Sequence, residues 1–133
     1  MPDWTAWHRF IAERSRMPFA GYDERVCCAL FAAGAVEALT GRDPLERIGH
    51  RWTTPRGALR VLRRVGGLAD GVSAVLEPVP VGLARRGDIG FVPAPEGGLG
   101  GLVVIEGDHV VGPDANGVRR LPRAAITRSW RAA

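Results

Sequence analysis

Cys27 and Cys28 stand directly ahead of the apolar run Ala29-Leu30-Phe31-Ala32-Ala33, a placement that puts a thiol at or near the start of a helix. Unpaired backbone N–H groups at a helix start lower a thiol pKa, which a cysteine nucleophile requires. Hydrolysis also needs a base for the thiol proton and a proton for the leaving group. The three histidines, His8, His50 and His109, are the available bases, and each is hard to bring to the thiol. Asp23, Glu24 and Arg25 lie just upstream and read as a helix cap or a local ion network, not as members of a triad.

Other chemistries fit the residues less well. Adjacent cysteines have Cα atoms about 3.8 Å apart, short of the usual disulfide range. No C-x-x-C or H-x-x-x-H pair is present, so no metal site is expected. Gly97-Gly98 and Gly100-Gly101 flank Leu99, but they do not form a G-x-G-x-x-G loop between a strand and a helix, so a hairpin is expected there and no cofactor. All 18 basic side chains are arginine, and the formal charge is only +4. Arg56, Arg60, Arg63 and Arg64 fall on one expected helix and read as its solvated face. No helix-turn-helix, zinc-finger or stacking-aromatic pattern points to specific nucleic-acid binding. No basic stretch followed by an apolar core marks a signal peptide, and no apolar segment reaches the roughly 20 residues that span a bilayer. Synthesis in the cytoplasm is expected, with incorporation in a particle left open.

The elements that must position these residues follow from periodicity. Trp4, Trp7, Phe10 and Ile11 recur at helical spacing, predicting a first helix from Asp3 or Trp4 to about Arg14 with His8, Arg9, Glu13 and Arg14 outward. Met17-Pro18-Phe19-Ala20-Gly21 is a connector. A second, central helix is expected from about Cys27 to Leu39, narrow because of Ala32, Ala33, Gly34 and Ala38, and stopped by Thr40-Gly41. Asp43-Pro44 opens a short helix to about Ile48, and Thr54-Pro55 opens another that ends at Gly66-Gly67. In the stretch Asp70 to Ala84, Pro78 and Pro80 argue against an interior strand. Strands are predicted at Ile89–Val92, Leu102–Ile105, His109–Val111 and Val118–Leu121, joined by turns at Gly107-Asp108 and Pro113–Gly117. Pro122 to Trp130 is read as a short helical turn that sets Ile126 and Trp130 against the core. Helices first and strands second give an α+β domain over 1–133, N-terminal helices packed on a C-terminal antiparallel sheet of about four short strands.

Several motifs in order resemble the NlpC-type cell-wall peptidases of the papain-like superfamily, and more closely a small group of papain-like-fold proteins from prophages and phage tail regions. They are Pro18-Phe19, Cys28-Ala29-Leu30-Phe31-Ala32-Ala33, Thr40-Gly41-Arg42-Asp43-Pro44, Arg86-Gly87-Asp88 and Arg128-Ser129-Trp130-Arg131. The resemblance implies a papain-like (NlpC-type) fold. It places Cys28 at the catalytic nucleophile position, although a one-residue shift would exchange it with Cys27. It also implies a histidine at the start of the second core strand and a polar residue on the next.

The histidine position is where the chain departs from that pattern. The second core strand begins near Leu99-Gly100-Gly101-Leu102, none of which can carry a proton. His109 belongs at the far end of that strand pair. Six strand residues span roughly 20 Å, whereas proton transfer needs about 3 Å or one bridging water. His50 lies in the connection between helices. Two functions therefore compete. The leading one is a degenerate or non-catalytic papain-like fold with an assembly or accessory role beside phage-tail or particle proteins. The other is a cysteine peptidase or amidase in which Cys28 attacks cell-wall peptide. An inert Cys28 is a small apolar packing residue, common at tight helix contacts.

Overall fold

Asp3 starts the first helix in the way its side chain permits: Oδ1 accepts the Ala6 N–H at 3.0 Å, replacing one of the bonds that a helix start lacks. The computed structural model describes residues 1–16, 24–44, 68–93, 101–114 and 117–133. Helix α1 spans Trp4–Ser15, with Trp7 and Ile11 buried and Trp4 and Phe10 half-buried. His8, Arg9 and Glu13 are exposed, while Arg14 is partly covered. The connector at Met17–Gly21, the helices expected from Asp43-Pro44 onward and from Thr54-Pro55, and His50, Trp52 and Leu99 lie outside the described residues, apart from Asp43 and Pro44 themselves.

Helix α2 spans Glu24–Thr40, three residues earlier at its start than the apolar run suggests. Its small residues allow close approach: a Cβ on Gly34 would sit 2.6 Å from the Phe10 ring. Gly41, at φ +79°, ends the helix, and its N–H reaches the Glu37 carbonyl at 2.7 Å. That left-handed residue and 5→1 bond form the glycine cap expected at Thr40-Gly41. The Asp3 N–H bonds the Leu39 carbonyl at 2.7 Å, tying the start of α1 to the end of α2.

The chain continues through α3 (Leu68–Val75) and the strands β1 (Glu77–Val79), β2 (Ile89–Val92), β3 (Gly101–Ile105), β4 (His109–Asp114), β5 (Gly117–Pro122) and β6 (Arg128–Arg131). All pairings are antiparallel in the order β1-β6-β2-β3-β4-β5. Among the described residues the sheet thus has six strands, where about four are expected from the sequence. One added strand, β1, takes the edge, the position its Pro78 permits. The other is β6, inserted between β1 and β2 where a short helical turn was expected; only Arg123–Ala125 forms a 3-10 turn. Of the expected Pro113–Gly117 turn, Pro113 and Asp114 belong to β4 and Gly117 to β5. Pro113 is tolerated there because β4 pairs β3 only through Val110 and Val111.

Alternation along β3 divides the apolar core. Leu102 and Val104 join Trp7, Phe31, Leu39, Ile89 and Trp130 on the helix-covered face. Val103 and Ile105 join Ala84, Val110 and Ile126 on the other. The described residues therefore form an α+β architecture in which N-terminal helices pack on an antiparallel sheet. At the β5 edge, Gly117 has φ +124°, and a Cβ there would lie 2.8 Å from the Ser15 carbonyl oxygen. Gly117→Ala should destabilise the fold by about 1–3 kcal/mol through backbone strain alone. The effect will show as a lower urea midpoint at unchanged slope.

Candidate functional site

The helix that carries Cys28 begins at Glu24, so Cys28 is its fifth residue and sits in the second turn. The unpaired N–H groups of a helix belong to its first turn; this thiol lies beyond them. Cys28 is 2 % exposed, makes no disulfide, and joins the apolar cluster shared by α1, α2 and the sheet. Opposite α2, strand β3 opens on Gly101 and Leu102, neither of which has a titratable side chain.

His109 starts β4 at the turn, where the Glu106 N–H bonds its carbonyl at 2.9 Å, and its side chain is exposed. The length of β3 separates that turn from Gly101, about 13 Å at strand spacing. His8 is turned to a different partner: its Nε2 lies 3.2 Å from Arg86 Nη2. Arg86 adjoins Gly87, where an added Cβ would lie 3.0 Å from Leu39 near the end of α2. Leu39 follows Cys28 by eleven residues, about 16 Å along a helix. The structure brings neither described histidine to Cys28. Among the described residues, no group of three or more His, Cys, Asp or Glu is placed to hold a metal ion, and no helix is long and apolar enough to cross a membrane.

A polar centre does form, around Asp88 in the Arg85-Arg86-Gly87-Asp88 turn. Its carboxylate is buried, with Oδ2 accepting the Arg85 N–H at 2.8 Å and Oδ1 accepting the Ala132 N–H at 3.0 Å. Arg131 Nη1 lies 3.2 Å from Oδ2. The backbone of the same turn bonds β3: Gly87 N–H to the Ile105 carbonyl at 2.7 Å, and Ile105 N–H to the Asp88 carbonyl at 2.9 Å. Gly87 adopts φ +93°, and a Cβ there would lie 3.0 Å from both Leu39 and Trp4. The carboxylate thus joins the entry to β2 to the end of β6, and the backbone of the same turn adds the end of β3. In the sequence Arg86-Gly87-Asp88 stands out only as a motif, and the one local signal of this role is a Gly-Asp pair just before a strand.

Above that turn, Arg86 lies over two aromatic rings, its Cζ 4.9 Å from the Trp4 ring centroid and 5.8 Å from that of Trp7. Arg85 Nη2 donates to the Ala133 backbone oxygen at 3.2 Å. Pro2, Trp4, Leu39, Arg85, Arg86 and Ala133, together with Asp88, surround a cavity of about 250 Å³.

Over residues 1–132 the chain matches the model of a family described as a domain of unknown function (DUF6950), and it belongs to that family. No curated protein and no solved structure matches it.

Proposed function

We propose that this member of the family is a non-catalytic protein of papain-like fold with an assembly or accessory role among phage-tail or related particle proteins, and that Cys28 is a packing residue. The observation that carries this reading is the burial of Cys28, at 2 % exposure, in an apolar cluster. A nucleophile has to meet a carbonyl carbon, and the position of Cys28 in the second turn of α2 gives its thiol none of the first-turn N–H groups. A base is equally necessary, and among the described residues neither His8, beside Arg86, nor His109, exposed at the β3–β4 turn, stands next to the thiol. What the position does supply is a small side chain where α1, α2 and the sheet converge, a use for which cysteine is well suited.

The test is covalent labelling by iodoacetamide, read at Cys28 by tandem mass spectrometry on native and urea-unfolded protein. Native Cys28 should react at least about 100-fold more slowly than the unfolded thiol, since labelling must wait for opening of the fold. Labelling of native Cys28 as fast as the unfolded thiol, or faster, would overturn the packing role and favour the competing reading. That reading is a peptidase acting on cell-wall peptides through Cys28, and it further requires that Cys28→Ala abolish peptide release.

A further inference from the structure

We infer that residues 80–84 form a strap that opens as a unit while the sheet beneath it stays folded, and that Arg123 is its latch. The inference depends neither on Cys28 nor on an assembly role. The strap leads from the edge strand β1 to the turn at residues 85–88. Its centre, Val81–Leu83, is one 3-10 turn between two extended residues, Pro80 at φ −57°, ψ 141° and Ala84 at φ −66°, ψ 141°. Both ends are anchored. The Ser129 hydroxyl donates to the Val79 carbonyl at 2.8 Å on one side, and the Arg85 N–H bonds Asp88 Oδ2 at 2.8 Å on the other.

Between the anchors the backbone bonds stay inside the strap. The Leu83 N–H bonds the Pro80 carbonyl at 2.9 Å, and the Ala84 N–H bonds the Val81 carbonyl at 3.2 Å. Both persist if the segment moves as one body. Among the described residues, no backbone bond runs from the strap to a strand.

Arginine side chains hold it down instead. Arg123 Nη2 donates to the Val81 carbonyl at 3.3 Å and also to the Ala84 carbonyl. Nη1 of the same side chain donates to the Gly107 carbonyl at 3.4 Å, and the Arg123 N–H bonds the Asp108 carbonyl at 3.0 Å. The guanidinium is therefore based on the β3–β4 turn and reaches across to the strap. Its planar fork of donors serves three carbonyls at once, which a lysine ammonium or a glutamine amide does not match. Arg131 Nη2 adds a bond to the Leu83 carbonyl at 3.3 Å.

Apolar contact adds little to this hold. Leu83 is 65 % exposed, a Cβ on Gly82 would meet nothing within 4 Å, and of the strap only Val81 and Ala84 join the second cluster. Segments with few buried apolar contacts open at a lower free energy than the strands they cover. Opening hands the Val81, Leu83 and Ala84 carbonyls to water, so no acceptor is left buried without a donor. What it uncovers is the apolar face of β3 and β4 at Val103, Ile105 and Val110.

The test is native-state amide hydrogen exchange of the full chain, followed by NMR at several low urea concentrations. Relative to the unfolded chain, Leu83 and Ala84 should exchange at least about 100-fold faster than Ile105, whose N–H bonds the Asp88 carbonyl at 2.9 Å. Their rates should hardly respond to urea, because the response scales with the surface exposed. Arg123→Gln should speed exchange at Leu83 and Ala84 by a further factor of about ten or more, and at Ile105 by less. Arg120→Gln removes an arginine paired instead with Glu106 and should leave Leu83 and Ala84 unchanged. Exchange of Leu83 and Ala84 at the rate and urea response of Ile105 would overturn the strap. Unchanged exchange in folded Arg123→Gln, or equal acceleration at Ile105, would overturn the latch. Arg123→Lys provides a second variant that keeps the charge without the fork. Failure of both Arg123 variants to fold would also overturn the inference, since Arg123 would then hold the whole domain together.

Discussion

Replacing Asp88 with alanine should remove about 3–5 kcal/mol of unfolding free energy, the range found when one partner of a buried ion pair is deleted. The side chain of Asp88 is 3 % exposed and that of Arg131 22 %, so the carboxylate is inside while the guanidinium keeps some access to water. Deletion leaves Arg131 without its anion, and leaves the Arg85 and Ala132 N–H groups without the oxygens they now reach at 2.8 and 3.0 Å. Each buried donor left unmade costs about 1–3 kcal/mol. Asp88→Asn keeps one acceptor oxygen and should lose less than the alanine variant. The check is urea unfolding of both variants and of Arg131→Gln, with the pair assessed by a double-mutant cycle. A loss below about 1 kcal/mol for Asp88→Ala would mean that the turn is held by its backbone bonds to β3. Native domains have about 5–15 kcal/mol in total. A loss of the expected size would put this variant near the limit of folding.

That centre also marks where the sequence stops being legible. Helix α1 was readable because Trp7 and Ile11 recur at helical spacing behind a capping Asp3, and both signals are local. The β3–β4 hairpin was readable for the same reason: two apolar runs meet at Gly107-Asp108, and Gly107 indeed adopts φ +136°. Strand β6 offered no such pattern. In Arg128-Ser129-Trp130-Arg131 two of four residues are charged, and its place between β1 and β2 is set by partners about 50 and 40 residues earlier in the chain. Helix α3 is eight residues long and contains Gly71, too little for a helical period to emerge. Asp88 looked like an ordinary turn residue because its partner, Arg131, is distant in sequence. The apolar run alone marks a start of α2 near Cys27, and the three residues by which the helix begins earlier carry Cys28 from the first turn into the second. A shift that small in a helix boundary separates a thiol exposed to unpaired N–H groups from one enclosed in the core.

Trp130→Ala should cost about 3–5 kcal/mol, the range for truncating a large buried aromatic. Trp130 is fully buried, at 0 % exposure. It lies opposite Ile89 of β2 on one side and Pro78 of β1 on the other. Its Nε1 donates to Ser73 Oγ at 2.9 Å, and Arg128 both lies over its ring at 5.3 Å and donates to the same hydroxyl at 3.2 Å. Trp130 therefore joins α3, an edge strand and the sheet interior through one side chain. Trp130→Phe separates its two contributions: it retains most of the apolar surface but leaves Ser73 without the indole donor, and should cost about 1–2 kcal/mol. Urea unfolding measures both losses. Hydrogen exchange then locates them, because β1 is bonded to the sheet through β6. Amides of Val79 and α3 should lose protection first in Trp130→Ala, while Val110 and Val111 remain protected until global unfolding. Equal loss in both regions would instead make the sheet one cooperative unit, with the C-terminal strand as integral to it as the β3–β4 hairpin.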